Sequence, residues 1–191
     1  EGGLFVHQTL FQPIALGAIE AKNRILMAPL TRGRADPGSV PNAMIAEYYR
    51  QRSGAGLIIS EATGISVEGL GWPAAPGVWN DAQVEGWKLT TDAVHQAGGR
   101  IVMQLWHMGR IVHPDFLGGE PGISASATTA PDHAHTPTGR KPHEQARAAT
   151  KADMLGKTAR EFFPENAWRR YEALDRQVMR TGRPVTDQLD L

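Results

Sequence analysis

The strongest constraint on this chain is a repeated alternation between residues 24 and 106. Short, continuous apolar runs are separated there by segments of helical period. The runs are Arg24-Ile-Leu-Met-Ala-Pro-Leu30, Leu57-Ile-Ile-Ser-Glu-Ala62 and Ile101-Val-Met-Gln-Leu-Trp106. A strand wetted on one face alternates in polarity, whereas one covered on both faces reads as an unbroken apolar run, so all three are expected to be strands of a parallel sheet. Pro29 has no N–H for a ladder, and the first strand should stop or bend there. Pro41 suits the first turn of a helix over 42–53, with Met44, Ile45, Tyr48 and Tyr49 on one face and Gly54 and Gly56 after its end. Asn80 or Asp81 can cap a second helix over 81–98. Val84, Trp87, Thr91 and Val94 make its apolar face, and Gly98-Gly99 stops it. A β-α-β-α-β order implies parallel pairing through right-handed crossovers. Both a doubly wound sheet and a (β/α)₈ barrel satisfy it, and periodicity alone does not choose.

Charge and cysteine content narrow the function. Twenty Lys and Arg balance twenty Asp and Glu among 191 residues, and cysteine is absent. Zero net charge argues against a nucleic-acid surface, which needs a basic stripe against the phosphates. Without cysteine there is no disulfide framework, thiolate nucleophile or Cys-ligated metal. The apolar runs are far shorter than the ~20 residues that span a bilayer. Glu1-Gly2-Gly3 has neither a basic n-region nor an apolar h-region, so a cytoplasmic protein without membrane partners is expected. From His107 to about His143 the composition turns to Gly, Pro, Ser, Thr and His, which reads as an unusually long loop of the functional kind. The polar stretch from Lys141 to Lys151 is expected to enter a further helix. Another composition begins near Met154, with helical spacing from Ala167 to Met179, a stop at Thr181-Gly182-Arg183-Pro184 and a strand after Val185.

Generic catalytic patterns are weak. His133-Ala-His135 and the pair His107/His113 lack the spacing of a helical zinc pair, so no metal site is assigned. Gly69-Leu70-Gly71 and Gly118-Gly119 do not lead from a strand into a helix as a dinucleotide fingerprint must, and no serine lies in G-x-S-x-G. The polar residues at the carboxyl ends of the apolar runs say more. Thr31 and Arg32 follow the first, Glu61 and Thr63 close the second, and Gln104, Trp106 and His107 close the third. In parallel α/β folds that edge holds the ligand, because loops and free backbone amides converge there.

Arg24-Ile-Leu-Met-Ala-Pro-Leu-Thr-Arg32, Ile59-Ser-Glu-Ala-Thr63 and Met103-Gln-Leu-Trp-His-Met-Gly-Arg110, in this order and spacing, resemble the old yellow enzyme family of FMN-dependent ene-reductases. Leu10-Phe11-Gln-Pro13, Tyr48-Tyr49, Gly71-Trp-Pro-Ala-Ala-Pro-Gly77 and Thr136-Pro-Thr-Gly139 fit the same family, so the resemblance covers residues 8–153. It implies that Ala28, Pro29, Leu30 and Thr31 line the isoalloxazine, with the Thr31 hydroxyl on the flavin O4. It also implies that Ala62 offers its backbone N–H near N5 and O4, and that Gln104 reads the O2/N3 edge, where a side-chain amide matches both a carbonyl and an imide N–H. Trp106 would wall the substrate cavity, and Trp72 would face substrate where the family usually has Tyr. FMN and NAD(P)H are the implied cofactors, and a small activated alkene is the implied substrate.

The family continues with a His/Asn or His/His pair, a Tyr proton donor and strand loops that grip the FMN phosphate, and the sequence does not match these. A (β/α)₈ barrel takes about 250 residues. Residues 1–153 are therefore expected to supply its first three βα units, with no catalytic donor of their own, weak FMN binding and open sheet edges that favour self-association. Residues 154–191 resemble the middle of a PAS sensory domain through Gly156-Lys-Thr158, Phe162-Phe163-Pro164 and Thr181-Gly182-Arg183-Pro184. The whole chain then reads as a partial barrel followed by a short α+β PAS-like fragment. Its function is that of an FMN-dependent oxidoreductase, incomplete and inactive by itself. The alternatives are a non-catalytic sensory or interaction fragment, or a fusion of gene fragments with no function.

Overall fold

The computed structural model describes residues 9–150 and Asp153. The chain divides into two units, 1–148 and 149–191. The amino-terminal residues 1–8 and the PAS-like fragment, helix from Ala167 and strand after Val185 that the sequence leads one to expect lie outside the described residues.

The first unit opens on a hairpin of β1 (Ile14–Leu16) and β2 (Ile19–Ala21), turned at Gly17 with φ +60. Next come β3 (Leu26–Met27), α1 (Ala43–Arg50), β4 (Leu57–Gly64), α2 (Asp81–Gln96) and β5 (Ile101–Trp106). The strands β3, β4 and β5 form a parallel sheet in that order. The β-α-β-α-β order and its parallel pairing are thus as expected, but β3 is much shorter than the run 24–30. It pairs only through Leu26 with Leu57 and Met27 with Ile58, and the chain leaves the ladder before Pro29. The strand β4, flanked on both sides, is buried along almost all its length. The outer strands are not, and Leu26 and Leu105 are exposed. Double-sided burial therefore describes only the central strand.

Both helices are capped by asparagine. The Asn42 side chain accepts the Ile45 N–H at 3.1 Å, and that of Asn80 accepts the Gln83 N–H at 3.0 Å. Pro41 therefore precedes the cap rather than occupying the first turn. Its carbonyl fills the space a Cβ at Gly86 would need, which lets α2 approach the start of α1. The core lies between these helices and the sheet, where Ile45, Tyr49, Ile58, Trp87 and Val94 form one buried cluster. The buried face of α2 is Gln83, Gly86, Trp87, Thr90 and Val94, rotated from the expected one, and Val84 is exposed. Gln83 can be buried because its amide is used at both ends. Its Oε1 accepts the Trp79 N–H at 2.7 Å, and its Nε2 donates to the Gly38 carbonyl at 2.9 Å.

The stretch after β5 is not a bare loop. It makes short 3₁₀ turns at Gly109–Ile111 and Pro114–Phe116, and β6 (Ile123–Ser124) pairs in parallel with β9 (Arg147–Ala148). A hairpin of β7 (His133–Thr136) and β8 (Gly139–Pro142) lies between them in sequence. The helix expected from Lys141 to Lys151 is replaced by β8 and β9, because the segment has no apolar face of helical period to bury. The helix signal comes later. Thr150 and Asp153 cap each other reciprocally, and Asp153 is helical. Among the described residues no helix is long and apolar enough to cross a membrane.

Candidate functional site

The carboxyl end of β4 is irregular in a way that shapes this edge of the sheet. Ile59 pairs with Val102 and Ala62 with Gln104, so Ser60 and Glu61 together oppose Met103. This is a β-bulge, a device that re-aims side chains at the end of a strand. Backbone groups displaced from a ladder must find other partners. The Glu61 N–H donates to the Tyr49 hydroxyl at 2.6 Å, and the Glu61 carbonyl accepts from the hydroxyls of Ser60 (2.9 Å) and Thr63 (3.0 Å). Ser60 also accepts the Gln104 N–H at 3.1 Å, tying the bulge to β5. Burial raises the Tyr49 hydroxyl well above its usual range and keeps it neutral.

The bulge aligns two of the expected site residues. Ala62 and Gln104 are register partners, Ala62 is buried, and the Gln104 side chain has no hydrogen-bond partner among the described residues. Thr31 reaches the same edge through its neighbours. The Arg32 and Gly33 N–H groups both donate to Oε2 of Glu61, at 2.9 and 3.2 Å. Trp72 lies against this turn, since a Cβ at Gly33 would meet the Pro73 carbonyl at 2.8 Å and the Trp72 ring at 3.8 Å. The other side of Trp72 packs on His135 of β7, with ring centroids 4.8 Å apart. Ala28, Pro29 and Leu30 run as non-ladder chain between β3 and the turn, and Leu30 is 58% exposed. Trp106, half-buried, pairs with Gly64 at the last position of the register. Thr31, Ala62, Gln104 and Trp72 thus share one edge of the sheet.

Residue types alone did not mark what organises that edge. In the sequence Glu61 counts as a polar strand end and, with Ser60, as part of the Ile59-Ser-Glu-Ala-Thr63 motif, and Tyr49 as part of a helix face and of the Tyr48-Tyr49 motif, but none of the three is marked there as organising the edge. Yet Glu61 is 1% exposed. Burial pushes its carboxyl above the usual 4.5, against the Arg32 and Gly33 N–H groups and the Arg32 and Arg34 charges, which pull it down. A cavity of about 640 Å³ lies at the opposite, amino end of the strands, lined by Gly56, Gly99 and Arg100 among others. It lies away from the edge that holds ligands in parallel sheets.

Residues 9–164 match the sequence model of the NADH:flavin oxidoreductase / NADH oxidase family. The chain belongs to that family. The flavin oxidoreductase hxnT of Emericella nidulans is 45% identical to it over 130 residues, which is 65% of this chain and 34% of that protein. The chanoclavine-I aldehyde reductase fgaOx3 of Penicillium roqueforti is 46% identical over 133 residues, 67% of this chain and 36% of that one. Among solved structures, the old yellow enzyme homologue of Zymomonas mobilis superposes with a TM-score of 0.73 at 58% identity, covering 76% of this chain and 41% of that chain. Morphinone reductase in complex with tetrahydroNAD superposes at 0.71 with 43% identity, covering 77% and 42%. The chain thus spans between 34% and 42% of the length of these relatives. The cofactor of the family is FMN, and a reduced nicotinamide is its reductant.

Proposed function

We propose that β3, β4 and β5 with their helices are the first three βα units of an eight-stranded barrel, and that their carboxyl edge is one wall of an FMN site. The observation that carries this is the Ala62–Gln104 register pair beside the clamped Thr31 turn. The free amide of Gln104 can match a carbonyl and an imide N–H together, and the Thr31 hydroxyl likewise has no partner among the described residues. These residues fit the polar rim of an isoalloxazine. FMN held there would supply hydride-transfer chemistry between NAD(P)H and an activated alkene. The chain's own contribution is to hold and polarise the ring: Gln104 on its O2/N3 side, Thr31 on O4, and the Ala62 backbone between them. Ala28, Pro29 and Leu30 would underlie the ring, while Trp106 and Trp72 would bound the space above it.

The stretch shared with its relatives is about two-fifths of their length, so the 191-residue chain alone holds the ring through one wall. Weak FMN binding and no enone turnover above free FMN are expected of it. Self-association is also expected, because among the described residues β3 and β5 each pair on one side only and Leu105 is 62% exposed. Titration of FMN by fluorescence quenching tests the reading, with an anaerobic NADPH/cyclohexenone assay and sizing chromatography on the same sample. Gln104→Ala should lower the affinity by about tenfold, one hydrogen-bonded edge. An affinity unchanged by that substitution, or a monomer turning over enone at ordinary enzyme rates, overturns it.

A further inference from the structure

We propose that Glu61 is a positioning residue that clamps the turn carrying Thr31 onto the bulge of β4, so that Thr31 and Ala62 present one fixed edge. The role rests on the flavin reading above. The ladder between β3 and β4 ends at Met27 and Ile58, and the chain from Ala28 onward has left it. Among the described residues, the hydrogen bonds that return residues 28–33 to β4 are those from the Arg32 and Gly33 N–H groups to Glu61 Oε2. Two adjacent N–H groups converging on one oxygen form the kind of backbone nest that holds an anion. Gly33 has φ +59 and no room for a Cβ under the Pro73 carbonyl, so the turn is built around glycine.

The other half of the argument is the cost. Glu61 is 1% exposed, and its Oε1 has no hydrogen-bond partner among the described residues. A buried carboxylate with one idle oxygen is expensive to keep, and an apolar residue would pack at β4 without that penalty. The arrangement is therefore explained by what Oε2 does. Arg32 and Arg34 line a cavity of about 190 Å³ beside the carboxyl, together with Met44, Ile45 and Tyr48, and bring positive charge to it. Arg32 is itself held over the Tyr48 ring, 5.2 Å from its centroid. The Glu61 N–H is meanwhile engaged by Tyr49, so the residue is held at its backbone by α1 and at its side chain by the turn. Ala62 follows directly, and Thr31 directly precedes the clamped amides.

The test is a set of variants in the full 191-residue chain: Glu61→Ala, Glu61→Gln, Thr31→Ala, Gln104→Ala and the doubles with Glu61→Ala. FMN affinity is read by fluorescence quenching, and amide exchange is read at Arg32, Gly33 and Val94. Glu61→Ala should weaken FMN by about tenfold or more, as loss of hydrogen bonds to a charged acceptor implies. Glu61→Gln, which keeps an acceptor oxygen, should recover most of that. The Thr31→Ala loss should vanish in the Glu61→Ala background, while the Gln104→Ala loss persists, because coupled residues are non-additive and independent ones add. Exchange should speed at Arg32 and Gly33 and stay slow at Val94. Full additivity with Thr31→Ala, no recovery by glutamine, or FMN binding equal in wild type and Glu61→Ala overturns the proposal. If wild type itself leaves FMN unbound, the flavin reading falls, and unchanged exchange at Arg32 and Gly33 in Glu61→Ala then removes the clamp as well. If Glu61→Ala does not fold, Glu61→Leu, which fills the space but offers no acceptor, takes its place in every comparison.

Discussion

The segment from β3 to β5 and the segment from His107 to Ala148 are held together by different forces. The first is organised by large apolar side chains, with Tyr49, Ile58, Trp87 and Val94 essentially out of water. The second buries mostly small or polar groups: Val112, Ala130, Ala134, Ala146, His113 and Thr136. Its connections are polar. Lys141 Nζ lies 2.6 Å from Asp115 Oδ2, to which Thr138 also donates at 2.8 Å. The His113 Nδ1 accepts the Asp115 N–H at 3.1 Å, and its Nε2 lies 3.5 Å from Glu144. Apolar burial depends little on the charge state of carboxylates, whereas a fold joined through Asp115 depends on its being ionised. Acid and core substitutions should therefore damage different halves of this unit.

The largest effect should come from emptying the core. Trp87 packs beside Tyr49, with ring centroids 6.4 Å apart, and its Nε1 donates to the Gly77 carbonyl at 3.1 Å. Trp87→Ala should cost about 3–5 kcal/mol and unfold β3 to β5 cooperatively, as chemical denaturation followed by circular dichroism would register. Survival of that segment with less than about 1 kcal/mol lost would break the contrast.

A smaller change probes the polar seam inside the apolar half. Tyr49→Phe keeps the ring but removes the oxygen that accepts the Glu61 N–H, leaving a buried donor idle at a cost of about 1–3 kcal/mol. The loss should concentrate at the bulge, with faster amide exchange at Glu61 and Ala62 than at Val94. Uniform loss would mean that the ring alone matters.

The gentlest perturbation is acid. Hydrogen bonds from Lys141 and then Thr138 hold the Asp115 carboxyl at about 2, below its usual 3.8. A depressed acid contributes stability that is present above 3.8 and lost as pH falls through about 2. Between these values the 107–148 segment should become protease-sensitive while slow amide exchange at Val94 persists. Asp115→Asn should show part of that sensitivity already at neutral pH and a smaller acid response, the remainder belonging to Asp132, which His133 and Arg140 hold below the usual range. Simultaneous loss of both segments would show that they are not separable.

Legibility from sequence follows the same division. The runs at 57–62 and 101–106 and the periodicity around Trp87 identify strands and helices because the side chains that define the pattern are those that fill the core. In the polar segment no such periodicity exists, and so β8 and β9 could not be told from a helix entry around Lys141. The turn at Thr136-Pro-Thr-Gly139 is set by local bonds, the Thr136 hydroxyl donating to the Gly139 carbonyl at 2.8 Å, rather than by a hydrophobic pattern.

By itself the sequence determined the order and parallel sense of β3, β4 and β5, and which polar residues stand at the carboxyl ends of β4 and β5. Local propensity and apolar patterning are enough for that. Only the tertiary structure decided that Ser60 and Glu61 bulge out of register, that Ala62 consequently faces Gln104, and that one buried carboxylate gathers the turn after β3 to the same edge. Register and long-range hydrogen bonds depend on where distant segments meet. A glutamate reads the same in a sequence whether water or two backbone amides receive its charge.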